Sequence, residues 1–378
     1  MPSSFGTTLR VTVFGQSHSE GIGCVVEGLP AGFGVDLDAL AAFMARRAPG
    51  QGPWSTPRKE PDAVRVLSGL NVQGETCGAP LALAIMNTNT RSRDYDNLLA
   101  VPRPGHADFT AWAKWHGSQD VPGGGHFSGR LTAPLCAAGG IALQLLEEKG
   151  VRIRSHLAQV GSVHDERFSA LDNSPESARA LASQMERLAT ASPLPTIDPE
   201  AGRAMLDEIE SARRDLDSVG GLVECVCCGL PAGVGSPMFD GIENTIARAA
   251  FGIPAVKGIE FGAGFGVAAM RGHEDNDPYV VRDGRCAPAT NNAGGALGGI
   301  STGAPIVFRI AMKPTSSIAR EQDSVDLTTM EPAKLRVHGR HDPCVAVRAV
   351  PVSEAVCALA VLDSWLSWPP EGEPLSLS

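Results

Sequence analysis

The sequence lacks an excess of basic residues, and this excludes a broad surface for nucleic acids. Its 378 residues include 32 lysines and arginines against 42 aspartates and glutamates, which gives a net charge of -10. Binding along a phosphate backbone requires a basic face. An anionic ligand would therefore need a local basic pocket.

Signals for membranes, export and metal are also missing. The start MPSSFGTTLRVTVFG has no basic segment followed by an apolar run, and no window of about 18 apolar residues predicts a membrane span. We therefore expect a soluble, cytoplasmic protein. Of nine cysteines, Cys225, Cys227 and Cys228 share an apolar run that predicts a buried strand, where neighbouring side chains point to opposite faces. We interpret them as reduced structural thiols rather than a zinc site, and we predict no metal.

Glycine and proline are abundant where aromatic residues are scarce. Aromatic side chains make up 5% of the chain, whereas 43 glycines and 28 prolines predict many tight turns. Three segments bounded by glycine or proline place a histidine beside a carboxylate, a hydroxyl or an arginine: FGQSHSEG at 14–21, RPGHADF at 103–109 and GRHDPC at 339–344. One such pair is more often a structural hydrogen bond. Three together indicate an active site built from three loops.

An internal repeat is visible in the sequence. GLPAGFG at 28–34 recurs as GLPAGVG at 229–235, each time after an apolar run that predicts a strand and before a predicted helix, at 35–47 and 241–251. CGAPLALAIMNT at 77–88 resembles TGAPIVFRIAMKPT at 302–315, and both alternate apolar residues with the period of a strand. The matches occur in the same order, which predicts a duplicated strand, helix and strand unit.

Two helices of different character are predicted between the repeats. Residues 131–149 are apolar all round, with alanine and glycine in the middle, which predicts a core helix in close contact with a neighbour. Residues 198–219 begin with a capping aspartate and a proline, and then repeat apolar residues on one side, which predicts an amphipathic surface helix. Because no segment has the composition of a hinge between two domains, we predict one domain at 1–365 and a flexible tail at 366–378. Within the domain we predict pseudo-repeats near 7–115 and 220–365 and a helical segment near 155–219.

Two loops suit an anion, although each has a structural alternative. A basic loop carries Arg46, Arg47, Arg58 and Lys59 among glycine and proline turns, and arginine binds carboxylate or phosphate through two parallel hydrogen bonds. The alternative is a solvated basic loop. A triple glycine at 123–125 leads into the core helix and would offer backbone N–H groups to a phosphate, but it equally fits a tight turn. It matches neither the P-loop nor the dinucleotide fingerprint.

The sequence resembles the chorismate synthase family in the order and context of these motifs. The resemblance covers about residues 7–365 and is carried by LRVTVFGQSHSEGIGCVVEGLPAG at 9–32, TPRKEPDAVRVLSG at 56–69, RPGHADFTAWAKW at 103–115, NAGGALGGISTGAPI at 292–306, MKPTSSI at 312–318 and GRHDPCVAVRAVPVSEA at 339–355. It implies an α+β fold, a β-α-β sandwich with antiparallel sheets around central helices and an internal pseudo-duplication. It also implies a homotetramer.

The implied reaction is the 1,4-anti elimination of phosphate from 5-enolpyruvylshikimate 3-phosphate to give chorismate, with reduced FMN and no net redox change. By the resemblance, His18 donates a proton near the departing phosphate, His106 stabilises the flavin, and Asp342 assists removal of the substrate proton through flavin N5. The implied substrate or NADP contacts are Ser17, Arg47, Pro53 and Arg130. The implied FMN contacts are His126, Phe127, Ser128, Pro254, Ala255, Gly298, Lys313, Pro314, Thr315, Ser316, Ser317 and Arg340. With no further reductase domain recognised, we expect FMN to arrive reduced or to be reduced by a partner such as a flavin reductase.

Several positions depart from the family pattern. Around the triple glycine the family reads RSSARET where this chain reads HFSGRLT, so an arginine is replaced by His126, a serine by Phe127 and a glutamate by Leu131. Pro53 replaces an arginine, and Pro254 stands where asparagine is common. Each change removes charge or hydrogen-bonding capacity, and a charge-assisted hydrogen bond contributes about 1.5–3 kcal/mol. Two alternatives therefore stay open: an impaired paralogue that binds flavin or a phosphorylated metabolite, and a sensor or structural protein on the same fold.

Overall fold

Two antiparallel sheets of five strands form the outer layers of the molecule. The computed structural model describes residues 3–50, 52, 54–55, 60–88, 97–189, 193–282, 284–337, 341–373 and 375. The first sheet contains β1 (Ser4–Phe5), β2 (Arg10–Gly15), β3 (Gly21–Glu27), β4 (Val64–Ser68) and β5 (Leu81–Met86). Its order is β1-β2-β3-β5-β4, with every neighbouring pair antiparallel.

The second sheet is built in the same way from later strands. It contains β6 (Arg152–Val160), β7 (Val163–His164), β8 (Gly221–Cys228), β9 (Val256–Phe261) and β14 (Ile306–Met312), in the antiparallel order β7-β6-β8-β14-β9. The remaining strands form three two-stranded ribbons: β10 (Tyr279–Arg282) with β11 (Arg285–Pro288), β12 (Ala296–Leu297) with β13 (Ile300–Ser301), and β15 (Gln322–Asp326) with β16 (Glu331–Leu335).

Four of the helices lie between the two sheets. The α-helices are α1 (Leu37–Arg47), α2 (Asp108–Trp115), α3 (Thr132–Glu148), α4 (Pro175–Ala189), α5 (Pro199–Arg214), α6 (Ile242–Phe251), α7 (Gly272–Asp275) and α8 (Ala346–Ser367). Helices α3 and α8 contact each other, and each also contacts strands of a sheet, while α1 packs on α3 and α6 packs on α8. The molecule is therefore the expected β-α-β sandwich.

Glycine in the middle of α3 explains how closely the two central helices approach. A Cβ added at Gly139 would lie 2.4 Å from the Cβ of Ala355 in α8, and one added at Gly140 would lie 2.7 Å from Leu40 in α1. Only a residue without a side chain fits at these contacts. The prediction that alanine and glycine allow close helix contact is thus confirmed.

The two sheets repeat one topology, which agrees with the repeat seen in the sequence. The order β2-β3-β5-β4 in the first sheet corresponds to β6-β8-β14-β9 in the second. The strand before each GLPAG segment pairs with the strand of the second matched segment, as β3 with β5 and β8 with β14. The second unit also uses β6, which lies before residue 220, so the shared topology begins earlier than the sequence match.

Three local predictions were wrong. Residues 155–160, which we assigned to a helical segment, belong to β6. Their backbone groups form hydrogen bonds with β8, and no local sequence pattern predicts this pairing. Helix α5 is capped by Asp198 as predicted, but it ends at Arg214 rather than near 219, since Leu216 takes a left-handed φ of 59°. The sequence also contains apolar windows that were missed: Gly129–Glu148 and α8 are long and apolar enough to span a membrane, although they are 78% and 94% buried inside the protein.

Candidate active site

The triple glycine packs between two of the predicted histidines. A Cβ added at Gly123 would lie 2.6 Å from the His18 ring and from Ser17 Oγ, and one added at Gly124 would lie 3.3 Å from the His106 ring. Gly123, Gly124 and Gly125 have φ values of 64°, 82° and 53°, a region that side chains disfavour. Ser17 N–H also donates to the carbonyl of Gly125 at 3.0 Å. The segments at 14–21 and 103–109 therefore meet on opposite sides of this loop.

A buried arginine and aspartate hold His106. The Arg103 guanidinium donates to both oxygens of Asp108 at 2.7 and 2.8 Å, and His106 Nδ1 lies 2.6 Å from Asp108 Oδ1. Burial raises the pKa of Asp108, but hydrogen bonds from Arg103 and His106 and their charges outweigh it, so the pKa lies well below its usual range. His106 Nδ1 also lies 3.0 Å from Arg103 Nη2, but its contact with Asp108 is shorter, and an ionised Asp108 only accepts hydrogen bonds. We therefore assign a proton to Nδ1, which leaves Nε2 for a ligand.

The KPTSS segment after β14 connects this cluster to the third predicted loop. Ser316 Oγ donates to the carbonyl of Gly105 at 2.8 Å, and Arg103 donates to Ser317 Oγ at 3.0 Å. On the other side, Thr315 Oγ1 donates to the carbonyl of Asp342 at 2.9 Å. Lys313 Nζ donates to Ser316 Oγ at 2.6 Å, and burial together with nearby Lys257 lowers the pKa of Lys313.

Asp342 lies just before α8 and pairs with an arginine from the first turn of that helix. Arg348 Nη1 donates to Asp342 Oδ2 at 2.7 Å, and Ser55 Oγ lies 3.4 Å from Oδ1. The preceding His341 also borders the cavity, and burial followed by the charge of Arg103 lowers its pKa to about 4 despite the opposing charge of Asp342. His341 is therefore neutral near pH 7, whereas Asp342 has a cationic partner.

Two further arginines of the site share one buried carboxylate. Arg47 Nη1 and Arg130 Nη1 both donate to Asp62, whose side chain is fully enclosed. Glu60 Oε2 lies 3.3 Å from Arg130 Nε, which also donates to Asn87 at 3.0 Å. Burial raises the pKa of Asp62, but the charges of Arg47 and Arg130 outweigh it and the pKa is lowered. The carboxylate therefore stays ionised between two cations.

These groups surround a single cavity of about 550 Å3. Most of the predicted site residues line it, namely Ser17, Arg47, His106, His126, Phe127, Ser128, Arg130, Pro254, Ala255, Lys313, Thr315, Ser316, Ser317 and Asp342. His18 lies behind Gly123. The starts of both central helices border the cavity, through Thr132 of α3 and Arg348 of α8. A helix N-terminus favours negative charge, so both helices add to an anion-binding wall.

Comparisons with known proteins agree with this geometry along nearly the whole chain. A model of the chorismate synthase family matches residues 9–366. The chorismate synthase of Lancefieldella parvula is 53% identical over 376 residues, which are 98% of each chain, and that of Methanosarcina mazei is 43% identical over 96% of this chain and 95% of its own. A crystal structure of a chorismate synthase superposes with a TM-score of 0.71 at 26% identity, covering 96% of this chain and 93% of that one.

The chain belongs to the chorismate synthase family. Membership makes it a lyase that forms chorismate for aromatic amino-acid biosynthesis. The resemblance that the motifs predicted is thereby confirmed, and so is the fold that it implied. None of the comparisons favours an impaired paralogue.

Four residues expected in a chorismate synthase site are not seen in the cavity wall: two lie elsewhere in the structure, and two lie outside the described residues. Gly298 forms the turn of the β12–β13 ribbon, with a φ of 61° and open space around it, and it does not line the cavity. Pro314 is also absent from the lining of this cavity, although its neighbours Lys313 and Thr315 are there. Pro53 and Arg340 lie outside the described residues, as do Arg58 and Lys59 of the basic loop.

The substituted residues of the glycine loop have partners of their own in this family member. His126 Nδ1 lies 2.7 Å from the carbonyl of Gly15, and Nε2 lies 2.7 Å from Ser3 Oγ. Because a carbonyl only accepts, Nδ1 carries the proton, and both ring nitrogens are already used. Phe127 packs against Trp115 with ring centroids 5.8 Å apart. Thus His126 holds the loop through both ring nitrogens at the position where the family pattern has an arginine.

The sequence reasoning missed several residues that organise the site. Arg103, Asp108 and Arg348 each hold one of the predicted groups, while Asp62 and Glu60 hold the arginines. A signal was present for two of them: Arg103 and Asp108 flank His106 within the RPGHAD motif itself. Asp62 had none, because its partner Arg130 is 68 residues away in the chain.

Proposed function

We propose that this chorismate synthase removes phosphate from 5-enolpyruvylshikimate 3-phosphate by a 1,4-anti elimination that requires reduced FMN. In this reaction a C–H bond and the C–O bond to phosphate break, and the electron pair of the C–H bond becomes part of the new diene. The products are chorismate, phosphate and a proton, so nothing is oxidised overall. The observation that carries the proposal is the packing of the glycine loop against both His18 and His106: His106 lines the cavity, and His18 lies next to Gly123 of its wall.

The residues present fit a reduced flavin and a polyanionic substrate. Arg130 Nη2 is buried and has no acceptor within the described part of the chain, as expected for a donor kept for a ligand. Lys313 and the hydroxyls of Thr315 and Ser317 would hold the cofactor from one side, with Ala255 facing them. When bound, reduced FMN supplies electron density to the substrate ring while phosphate leaves.

The hydrogen bonds of His106 define where it exchanges protons. Its Nδ1 proton is held by Asp108, so only Nε2 gains or loses a proton during the reaction. Asp108 in turn is fixed by two bonds from Arg103, which keeps the ring in one orientation. His106 thus offers a protonatable nitrogen beside Gly124, where it stabilises negative charge in the cavity.

Asp342 is arranged to act as a carboxylate. Arg348 pairs with one oxygen of Asp342, and Thr315 fixes the backbone of the same residue. His18, on the far side of Gly123, is placed to donate a proton to the departing phosphate. The proposed proton acceptor and proton donor therefore belong to different loops of the site.

Anaerobic turnover with dithionite-reduced FMN tests the proposal. Chorismate and inorganic phosphate should form in equal amounts from 5-enolpyruvylshikimate 3-phosphate. We expect His106→Asn to lower kcat by about 10²–10⁴, the usual contribution of a positioned proton-transfer group. The control His164→Asn, at an exposed position on β7, should keep wild-type activity. Tight FMN binding without phosphate release would refute the proposed function.

The assembly and the supply of reduced flavin belong to the same proposal. Large apolar side chains are exposed on the single chain, among them Phe239 and Phe265, each more than 80% exposed. A homotetramer would cover such surface. We further propose that the enzyme works in the cytoplasm, where its nine unpaired thiols stay reduced, and that FMN reaches it reduced or through a flavin reductase. Sedimentation velocity of the purified chain tests the tetramer.

A further inference from the structure

Asp62 lies behind the wall of the cavity: Arg47 and Arg130 line the cavity, and Asp62 contacts both without lining it. Its carboxylate is enclosed, and each oxygen accepts a hydrogen bond from a different arginine: Oδ2 from Arg47 Nη1 and Oδ1 from Arg130 Nη1. Arg47 is the last residue of α1, and Arg130 lies just before α3. One aspartate therefore ties together two elements that both border the cavity.

The backbone at Asp62 is also unusual. Its φ is +49°, in the left-handed region, and it is one of only a few residues other than glycine with positive φ among those described. Such a conformation costs energy and persists where the surroundings enforce it, commonly at functional sites. At Asp62 the contacts with the two arginines offset the cost of this backbone conformation.

Charge explains why the arginines need a shared anion. Burial, then the nearby charges of Arg348 and Arg130, lower the pKa of Arg47 to about 10, while the charge of Asp62 acts in the opposite direction. Three guanidinium groups thus converge in a region of low solvent access. Without Asp62, Arg47 and Arg130 would repel each other and separate.

The donors of the two arginines are used differently. Arg47 donates from Nε to Thr132 at 3.1 Å, from Nη2 to the carbonyl of Gly129 at 3.3 Å, and from Nη1 to Asp62, so each of its nitrogens already has an acceptor. Arg130 donates from Nε and Nη1, but its buried Nη2 has no acceptor within the described residues. Arg47 is thus part of the support, and Arg130 is the arginine that can bind a ligand.

We propose that Asp62 is a positioning residue that holds Arg130 with Nη2 directed at an anionic group of the substrate, and that Arg47 fixes Asp62 through its other carboxylate oxygen. This inference rests on the proposed function, because it takes the substrate to be a phosphorylated carboxylic acid. It assigns a role to a residue that would not itself touch the substrate. The alternative is that Asp62 only fills the anion site until substrate displaces it, and it predicts that removing the charge of Asp62 does not weaken binding.

Substrate binding to the FMN-free protein tests the inference directly. Calorimetry with 5-enolpyruvylshikimate 3-phosphate, and separately with inorganic phosphate, should show affinity reduced roughly ten- to a hundredfold by Asp62→Asn. Asparagine tolerates the left-handed backbone and keeps the size of the side chain, so the change removes mainly the charge. The matched control is Asp217→Asn, which breaks an exposed aspartate–arginine pair with Arg320 and should leave both affinities unchanged.

A double substitution separates positioning from general support of the fold. Arg130→Ala should weaken binding by itself, and adding Asp62→Asn to it should change the affinity less than twofold, because the residue to be positioned is gone. In turnover with reduced FMN, Asp62→Asn should raise KM more than it lowers kcat. If Asp62→Asn does not fold, Arg47→Lys replaces it, since a lysine cannot keep all three contacts; it should weaken binding at least threefold.

Each outcome decides between the readings. Unchanged or tighter binding in Asp62→Asn overturns the inference and favours a carboxylate that merely fills the anion site, as does an undiminished effect of Asp62→Asn in the Arg130→Ala background. Failure of the wild type to bind either anion also overturns it. If the wild type binds substrate, and Asp62→Asn and Arg130→Ala both weaken that binding, but no phosphate is released, the inference stands and the proposed function falls.

Discussion

Gly123→Ala should disable the enzyme mainly by moving His18. The added Cβ would lie 2.6 Å from His18 Cδ2 and from Ser17 Oγ, whereas ordinary contact begins at 3.4 Å, so one side must shift by 3.4 − 2.6 = 0.8 Å. Ser17 is anchored to the carbonyl of Gly125, which leaves little freedom on that side. A misplacement near 1 Å costs about 10²-fold in rate when it disturbs a catalytic group. We therefore expect kcat to fall by about two orders of magnitude.

The loss of stability can be divided into two parts. A side chain at the left-handed φ of 64° costs about 1–2 kcal/mol, and forcing an extra methyl into a filled space costs about 1–3 kcal/mol more. The matched control is Gly150→Ala, because Gly150 has a φ of 78° but nothing within 4 Å of an added Cβ. It should show the first cost alone.

The assay compares the two variants for urea unfolding and for anaerobic turnover with reduced FMN. Gly123→Ala should remain folded, be less stable than Gly150→Ala and lose kcat, whereas Gly150→Ala should keep it. Full kcat in Gly123→Ala would show that the glycine loop does not place His18. An equal loss of kcat in both variants would assign the effect to general destabilisation instead.

Two further predictions concern aspartate and histidine pairs. Asp108→Asn should lower kcat by about 10²–10⁴ with substrate affinity changed less than threefold, because a neutral amide replaces the charged carboxylate that fixes the Nδ1 proton of His106. Unchanged kcat in steady-state kinetics would contradict this role. His156 is buried between Asp165 at 2.8 Å and Glu224 at 3.0 Å; burial lowers its pKa, but both hydrogen bonds and both charges outweigh it and the net pKa is raised. The stabilisation of the fold by protonated His156 is therefore complete below the unfolded pKa of about 6.5 and is lost as pH rises through the folded pKa. His156→Gln should lower the free energy of unfolding in urea by about 3 kcal/mol at pH 6 and by less at pH 9. Equal losses at the two pH values would refute this prediction.

The fold could be predicted where the pattern is local or repeated. The period-two alternation at 81–86 and 306–312 and the cap at Asp198 correspond to β5, β14 and the start of α5. By contrast, β6 depends on a partner about 70 residues later, and α8 is apolar on every side, so neither has a local signature that distinguishes it. The topology shared by the two sheets was only partly visible, because β6 and β8 are separated by the inserted helices α4 and α5.

In the candidate site, too, residues in local motifs could be predicted and residues that depend on distant partners could not. His18, His106 and Asp342 were found because each lies in a short motif with glycine or proline, and the structure brings their loops to one cavity. The residues that hold them were harder to find. Burial and partnership decide whether an arginine binds a ligand or supports the wall, and the sequence shows neither: Arg47 was expected to bind an anion, yet each of its nitrogens has an acceptor in the protein.

The two central helices explain why the site forms where it does. The glycine loop leads into α3, and the loop with Asp342 leads into α8; these are the two central helices, and they contact each other through Gly139 and Ala355. Because both begin at the same cavity, their N-terminal dipoles add there, and each contributes an arginine at its start, Arg130 before α3 and Arg348 in α8. One central helix alone would supply one helix end and one arginine. The two helices together supply two helix ends and two arginines for a substrate with several negative charges.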